Sequence, residues 1–160
     1  MNKIVFSTIE QLALEQIPKG IATLLADDEP DRFDELLEYT EKWVSGEVKG
    51  DKLTVLHVEK GSVVGIVRFW CTPHVNDKWY LEGLQVHEAK RNSGIATKIS
   101  ELGMEALKKE GIKEIFVNIS DKNLSSIRVH EKCGFTRLAQ TAVNSFGTLM
   151  KAYGNYKALL

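Results

Sequence analysis

Leu81-Glu82-Gly83-Leu84-Gln85-Val86-His87-Glu88-Ala89-Lys90-Arg91-Asn92-Ser93-Gly94-Ile95-Ala96 reads as a strand, a polar loop and the start of a helix, with nothing between them. The helix is predicted over 94–110. Ile95, Ile99, Leu102, Ala106 and Leu107 share one stripe, and Gly111 follows as a C-terminal stop. The first N–H groups of a helix have no partner inside it, and the helix dipole adds positive character there, so the loop ends in a ready anion site. Gly94 and Ala96 are small enough to let a phosphate reach the main chain, and Lys90 and Arg91 add charge beside it. A phosphate-bearing ligand follows from this reading. The plainer alternative is an ordinary strand-to-helix turn that contains a glycine.

Working outward, 52–59, 62–71 and 78–86 read as three strands, the first two joined by a Lys60-Gly61 hairpin turn. Upstream, 3–7 is a candidate strand, 9–26 is compatible with a helix interrupted near Pro18, and 31–44 carries a helical stripe of Phe33, Leu36, Leu37, Trp43 and Val44. Downstream come a β-branched strand at 114–119, a helix at 124–132 closed by Gly134, and two further strands within 136–153. A strand-rich middle followed by β-α-β-α-β predicts one mixed α/β (α+β) domain over 1–160.

The chain is long enough for one sizeable core, since about 150 residues bury roughly 68–70% of their extended-chain surface. A hydrophobic fraction of 43% with 27% charged residues describes a globular chain. The net charge of −1 offers no general attraction to nucleic acid or anionic lipid, so an anionic ligand needs a local site. Cys71 and Cys133 stand alone, without Cys-x-x-Cys or Cys/His spacing, which argues against a disulfide framework or a metal site. No signal peptide or membrane-length apolar run is present, and a cytoplasmic setting is expected.

The glycine patterns of the P-loop and of dinucleotide-binding loops are both absent. Arg91-Asn92-Ser93-Gly94-Ile95-Ala96 instead resembles the pyrophosphate signature of the GNAT superfamily of N-acetyltransferases, Gln/Arg-x-x-Gly-x-Gly/Ala. Asn123-Leu-Ser-Ser-Ile127-Arg-Val-His130-Glu-Lys-Cys-Gly134-Phe135 resembles that family's later motif, an Asn followed by a short helix ending in Tyr-Glu-Lys-x-Gly-Phe. The resemblance covers 80–135 and implies a central, mostly antiparallel mixed sheet with helices on both faces. Within it the parallel strands 80–86 and 114–119 would splay to admit the pantetheine arm of acetyl-CoA, the acyl donor. Main-chain groups of Leu84, Gln85 and Val86 would pair with that arm. Arg91, Asn92, Ser93, Gly94, Ile95, Ala96 and Thr97 would hold the pyrophosphate. Asn123 would bind the cofactor, cap the following helix, or do both. No metal is implied, and a homodimer is allowed.

The implied reaction is acetyl transfer to an amine, which attacks only when neutral. Glu82, on the strand just before the cofactor-binding residues, is the candidate base. The bland reading makes it a solvated strand residue or a partner for a lysine. Glu88 and Glu131 fall on a loop and an exposed helix face. A main-chain N–H near 84–86 would meet the oxyanion. His130 stands where the family places Tyr, as candidate acid or as packing against the cofactor. The acidic run from Asp27 to Glu35 is a solvated loop or an attractor for a cationic acceptor. A different class of function, an acyl-CoA-binding regulatory module whose missing Tyr marks lost catalysis, is the alternative.

Overall fold

The computed structural model describes Met1–Leu160 throughout. Its elements are β1 (Asn2–Phe6), α1 (Ile17–Leu25), α2 (Phe33–Ser45), β2 (Lys52–Glu59), β3 (Ser62–Thr72), β4 (Lys78–Val86), α3 (Ile95–Lys109), β5 (Glu114–Ser120), α4 (Leu124–Lys132), β6 (Thr136–Leu138) and β7 (Tyr153–Leu159). The strands form one sheet in the order β1-β2-β3-β4-β5-β7-β6. The β1/β2 and β4/β5 pairs are parallel and the rest antiparallel. This is the mixed sheet expected from the sequence.

Hairpin β2–β3 forms at Lys60-Gly61 because both residues take the left-handed backbone that a two-residue turn needs, with φ of 50° and 76°. The next hairpin carries the feature that shapes the site. Arg68 pairs with Gly83 and Phe69 with Leu81, so Glu82 is an extra residue in β4 with no opposite number. Such a bulge bends its strand and re-aims a side chain. It also shifts the inward alternation. Trp79 and Leu81 point into the core before the bulge, and Leu84 and Val86 pack against it afterwards.

Beyond the bulge β4 parts from β5. The two strands share one register pair, Tyr80 with Phe116. β5 is meanwhile fully paired with β7 along seven residues, Glu114 to Ser120. The free edges of both strands therefore face a wedge that widens from Tyr80 toward Val86.

Helices cover both faces. Ile95, Ile99, Met104 and Leu107 of α3 join β-strand residues in the larger core, and Ile17, Ile21 and Leu24 of α1 pack on Leu56, Val58, Val63 and Ile66. Burying a side chain such as Ile99 or Leu107, each 0% exposed, stabilises by roughly 1.5–3 kcal/mol. Gly103 lets α3 approach closely, since a Cβ there would lie 2.2 Å from the Phe69 ring.

Two expectations are corrected. The segment 9–26 is not a helix broken at Pro18: α1 begins at Ile17, and Pro18 sits in its first turn, where a missing N–H costs nothing. Of the two terminal strands expected within 136–153, the first lies there and the second lies beyond. β6 has three residues and β7 runs past Tyr153 to Leu159, while 139–152 is a loop with one bridge, Val143–Leu149. Turn chemistry explains the loop. Asn144 Oδ1 accepts from Phe146 N and Thr148 N at 3.0 and 2.9 Å, and Gly147 has φ of 84°.

Candidate active site

A cleft of about 730 Å³ is bounded by the end of β4, the loop after it, the first turn of α3 and one face of α4. Leu84, Gln85, Val86, Arg91, Asn92, Gly94, Ile95, Ala96, Thr97 and Asn123 all line it. Ser93 does not; its hydroxyl turns back to the Lys90 carbonyl. Gly94 holds the N-cap position of α3 with φ of 84°, a conformation that suits glycine. No side chain caps the helix. A Cβ on Gly94 would meet nothing within 4 Å, so open space lies over the free N–H groups of the first turn. The open edge of β4 and this uncapped helix start suit an extended arm that ends in phosphates.

Two of the basic groups at the cleft, Lys90 and Arg91, are held by acids. Arg91 Nε donates to the Val86 carbonyl at 3.0 Å, and its Nη2 lies 3.7 Å from Asp28 Oδ2. Lys90 pairs with Glu59 at 3.1 Å and His87 with Asp27 at 3.3 Å. These exposed pairs contribute little stability, so a phosphate can replace the carboxylates at small cost. Further along the acidic segment, Glu29 and Glu35 both bind Arg32.

On α4, Asn123 Oδ1 caps the helix, accepting from Ser126 N at 3.2 Å, and the same side chain lines the cleft. Its amide N–H groups are what it can offer a ligand. Ser125, Ser126, Val129 and Lys132 line the cleft beside it, residues that the sequence reading did not single out. Their three- and four-residue spacing on a helix opening at Asn123 is the signal that marks this face.

His130 is 3% exposed and does not line the cleft. Its Nδ1 donates to the Ser126 carbonyl at 2.7 Å, its Nε2 is buried without a partner, and the ring meets Phe135 edge-on at 5.4 Å. Burial lowers its pKa, against an opposing pull from the Ser126 carbonyl, so the imidazole is neutral at pH 7. Cys133, at the end of α4, has its thiol pushed up to about 11 by burial and by Glu101, which leaves no thiolate at neutral pH. Glu88 and Glu131 are exposed.

Glu82 does not line the cleft. The bulge places it with Tyr39 of α2, Arg68 of β3 and Ser145 of the 139–152 loop. Ser145 Oγ donates to Glu82 Oε2. Burial raises the Glu82 pKa, against smaller opposing effects of Ser145 and Arg68. The 139–152 loop is fixed over this spot by Tyr80, which donates to the Val143 carbonyl at 2.9 Å, and by Thr72, which donates to the Ser145 carbonyl at 2.5 Å.

Residues 18–135 match the model of the acetyltransferase (GNAT) family. Solved structures share the fold at low identity. A PaiA N-acetyltransferase from Thermoplasma acidophilum, in complex with coenzyme A, superposes with a TM-score of 0.69 over 96% of this chain and 98% of its own, at 12% identity. The ribosomal-protein-alanine N-acetyltransferase of Brucella melitensis gives 0.70 over 94% and 98%, at 14% identity. An aminoglycoside 6′-N-acetyltransferase complexed with coenzyme A gives 0.64 over 89% and 90%, at 16% identity. No curated protein matches the chain in sequence. With the family match covering most of its length and the fold shared end to end, the chain belongs to the acetyltransferase (GNAT) family and is an acyl-CoA-dependent acetyltransferase.

Proposed function

We propose that this protein transfers an acetyl group from acetyl-CoA to the nitrogen of an amine, with Glu82 accepting the amine's proton. The observation that carries the reading is the open edge of β4 at 84–86, joined by the short loop 87–94 to the uncapped N-terminus of α3. Acetyl-CoA supplies an activated acyl group on a thiol that leaves readily. Main-chain groups of Leu84, Gln85 and Val86 pair with its pantetheine arm. The first turn of α3 and Arg91, released from Asp28, hold its pyrophosphate. An N–H on the same edge of β4 meets the negative charge that grows on the acyl oxygen.

An amine of pKa near 10.4 is less than about a thousandth neutral at pH 7, so a base matters. Glu82 suits the task because burial makes it a better proton acceptor than an exposed carboxylate, and the Ser145 hydroxyl steadies one oxygen. His130 is assigned to packing α4 against Phe135 and not to proton donation, since its charged form is scarce and its one proton is committed to Ser126. The thiolate departs without it. In the acidic segment after α1, Asp27, Asp28, Glu29 and Glu35 pair with His87, Arg91 and Arg32, and Asp31 and Asp34 stay free to attract a cationic acceptor. Two free cysteines, Cys71 and Cys133, fit a reducing, cytoplasmic setting, and no helix is long and apolar enough to cross a membrane.

Incubation with acetyl-CoA and a panel of amines, followed by free thiol, tests the reading. Thiol release that depends on an amine supports it. Tight acetyl-CoA binding without release under any amine replaces it with a regulatory binding module.

A further inference from the structure

Arg68 lies opposite Gly83 across the β3–β4 ladder. A Cβ on Gly83 would meet Arg68 Nη2 at 3.0 Å and Nε at 3.5 Å, so the guanidinium rests against β4 in the space that a side chain would fill. It is also held by aromatic rings, with Cζ 5.3 Å from the centre of Trp43 and 6.0 Å from that of Tyr39. Nε and Nη1 are shut off from solvent and have no hydrogen-bond partner. The neighbouring Tyr39 hydroxyl is in the same condition. Glu82 acts on Arg68 only as a charge across space, its Oε2 being taken by Ser145.

Buried polar groups are nearly always paired, and a guanidinium stays charged in any protein environment. A buried cation with idle donors is costly to keep, and this one is positioned by two aromatic rings and a glycine. Arginine presents its donors as a planar fork that matches a carboxylate. Burial also holds the Tyr39 phenol above its ordinary pKa, so it remains a donor at neutral pH. Arg68, Tyr39 and Glu82 are each of intermediate exposure as residues, while Arg68 Nε and Nη1 and the Tyr39 hydroxyl are themselves closed to solvent.

We propose that Arg68, with Tyr39, binds a carboxylate carried by the acceptor, so that the substrate is a small amino acid whose amine lies at Glu82. The proposal rests on the acetyl-transfer reading above. The Arg68 guanidinium lies against Gly83, the residue next to Glu82, so the carboxylate of the acceptor stands within a few bonds of its nitrogen.

Acetyl transfer to glycine, L-alanine, L-phenylalanine and β-alanine is compared with transfer to their carboxamides, using wild type, Arg68→Gln and Arg68→Lys. Wild type is expected to prefer the acids by at least tenfold in kcat/KM. Arg68→Gln should raise KM for the acids more than tenfold and raise KM for the amides far less, and Arg68→Lys should recover part of the loss. Equal use of acids and amides by wild type overturns the proposal. So does a kcat loss shared by both sets, which would assign Arg68 to the acyl oxygen instead. If Arg68→Gln does not fold, Gly83→Ala pushes on the guanidinium without removing it and is expected to weaken the same preference. Thermal shift with the N-acetylated acids and their amides gives a readout free of turnover. Selective stabilisation of wild type by the acids, lost in the variants, supports the proposal, and its absence in wild type rejects it. Calorimetry with acetyl-CoA tests the earlier reading separately: failure to bind rejects that reading, whereas intact binding without acid preference rejects only this one.

Discussion

Glu82 combines a bulged backbone with a buried carboxyl, and each makes the other consequential. Because its folded pKa is raised, the folded chain keeps this proton to higher pH than the unfolded chain does. The stability that Glu82 contributes is therefore complete below the ordinary carboxyl range and falls as pH rises through the folded value. Glu82→Gln should remove that fall, so the stability difference shifts in the variant's favour from about pH 4.5 upward, as denaturant titrations across pH would show. The same variant should lose about 10²–10⁴-fold in kcat near neutral pH, with part returning at high pH where the amine is already neutral. In the wild type the acidic limb of kcat should lie above the ordinary carboxylate range. His130→Phe makes the opposite case: it should leave kcat within about threefold and the pH profile unmoved, since a neutral, buried imidazole supplies no acid. Matching pH–rate profiles for wild type and variant check this. Glu82 could be named as a candidate from the sequence because it stands beside a readable motif. Tyr39, Arg68 and Ser145 could not, because they stand up to 63 positions from Glu82 in the chain and meet it only through the fold.

At the scale of elements, α3 was the most readable, its stripe, its glycine start and its stop all agreeing with the structure. It also carries a constraint that periodicity hides. Gly103 faces Phe69 so closely that Gly103→Ala must force ring or helix aside, at a cost of about 1–3 kcal/mol. That exceeds the roughly 0.5–1 kcal/mol that alanine gains in helix propensity over glycine, so the variant should be less stable in denaturant unfolding. The bulge in β4 had a signal of its own. The inward residues Trp79, Leu81, Leu84 and Val86 break their two-residue step once, between Leu81 and Leu84. β7 was misplaced because its buried positions include Gly154 and Ala158, small residues that weaken a strand pattern.

For the whole molecule, the larger core runs under both sides of the wedge, including Val67 and Phe69 of β3 as well as Val117 of β5 and Tyr156 of β7. Ligand binding at the wedge should therefore register as global stability. Acetyl-CoA at a hundred times its Kd should add about 2.7 kcal/mol, or roughly 5–11 °C in Tm. Scanning calorimetry at graded concentrations measures it. No concentration dependence would remove the cleft as the binding place.

The wedge also bears on how the protein avoids sticking to its own kind. Unpaired backbone at the rim of a sheet invites any passing strand, and from there a growing aggregate. Here the unpaired stretches of β4 and β5 lie in the interior of the sheet, with β3 and β7 on their far sides, and they close to a point at Tyr80 and Phe116. A second polypeptide would have to enter side-on into a narrowing slot, carrying side chains on both faces. A slender, unbranched chain meets no such obstacle. The rims that remain are β1, which carries Lys3, and β6, only three residues long. The fold keeps open backbone on hand and withholds it from other copies of the protein.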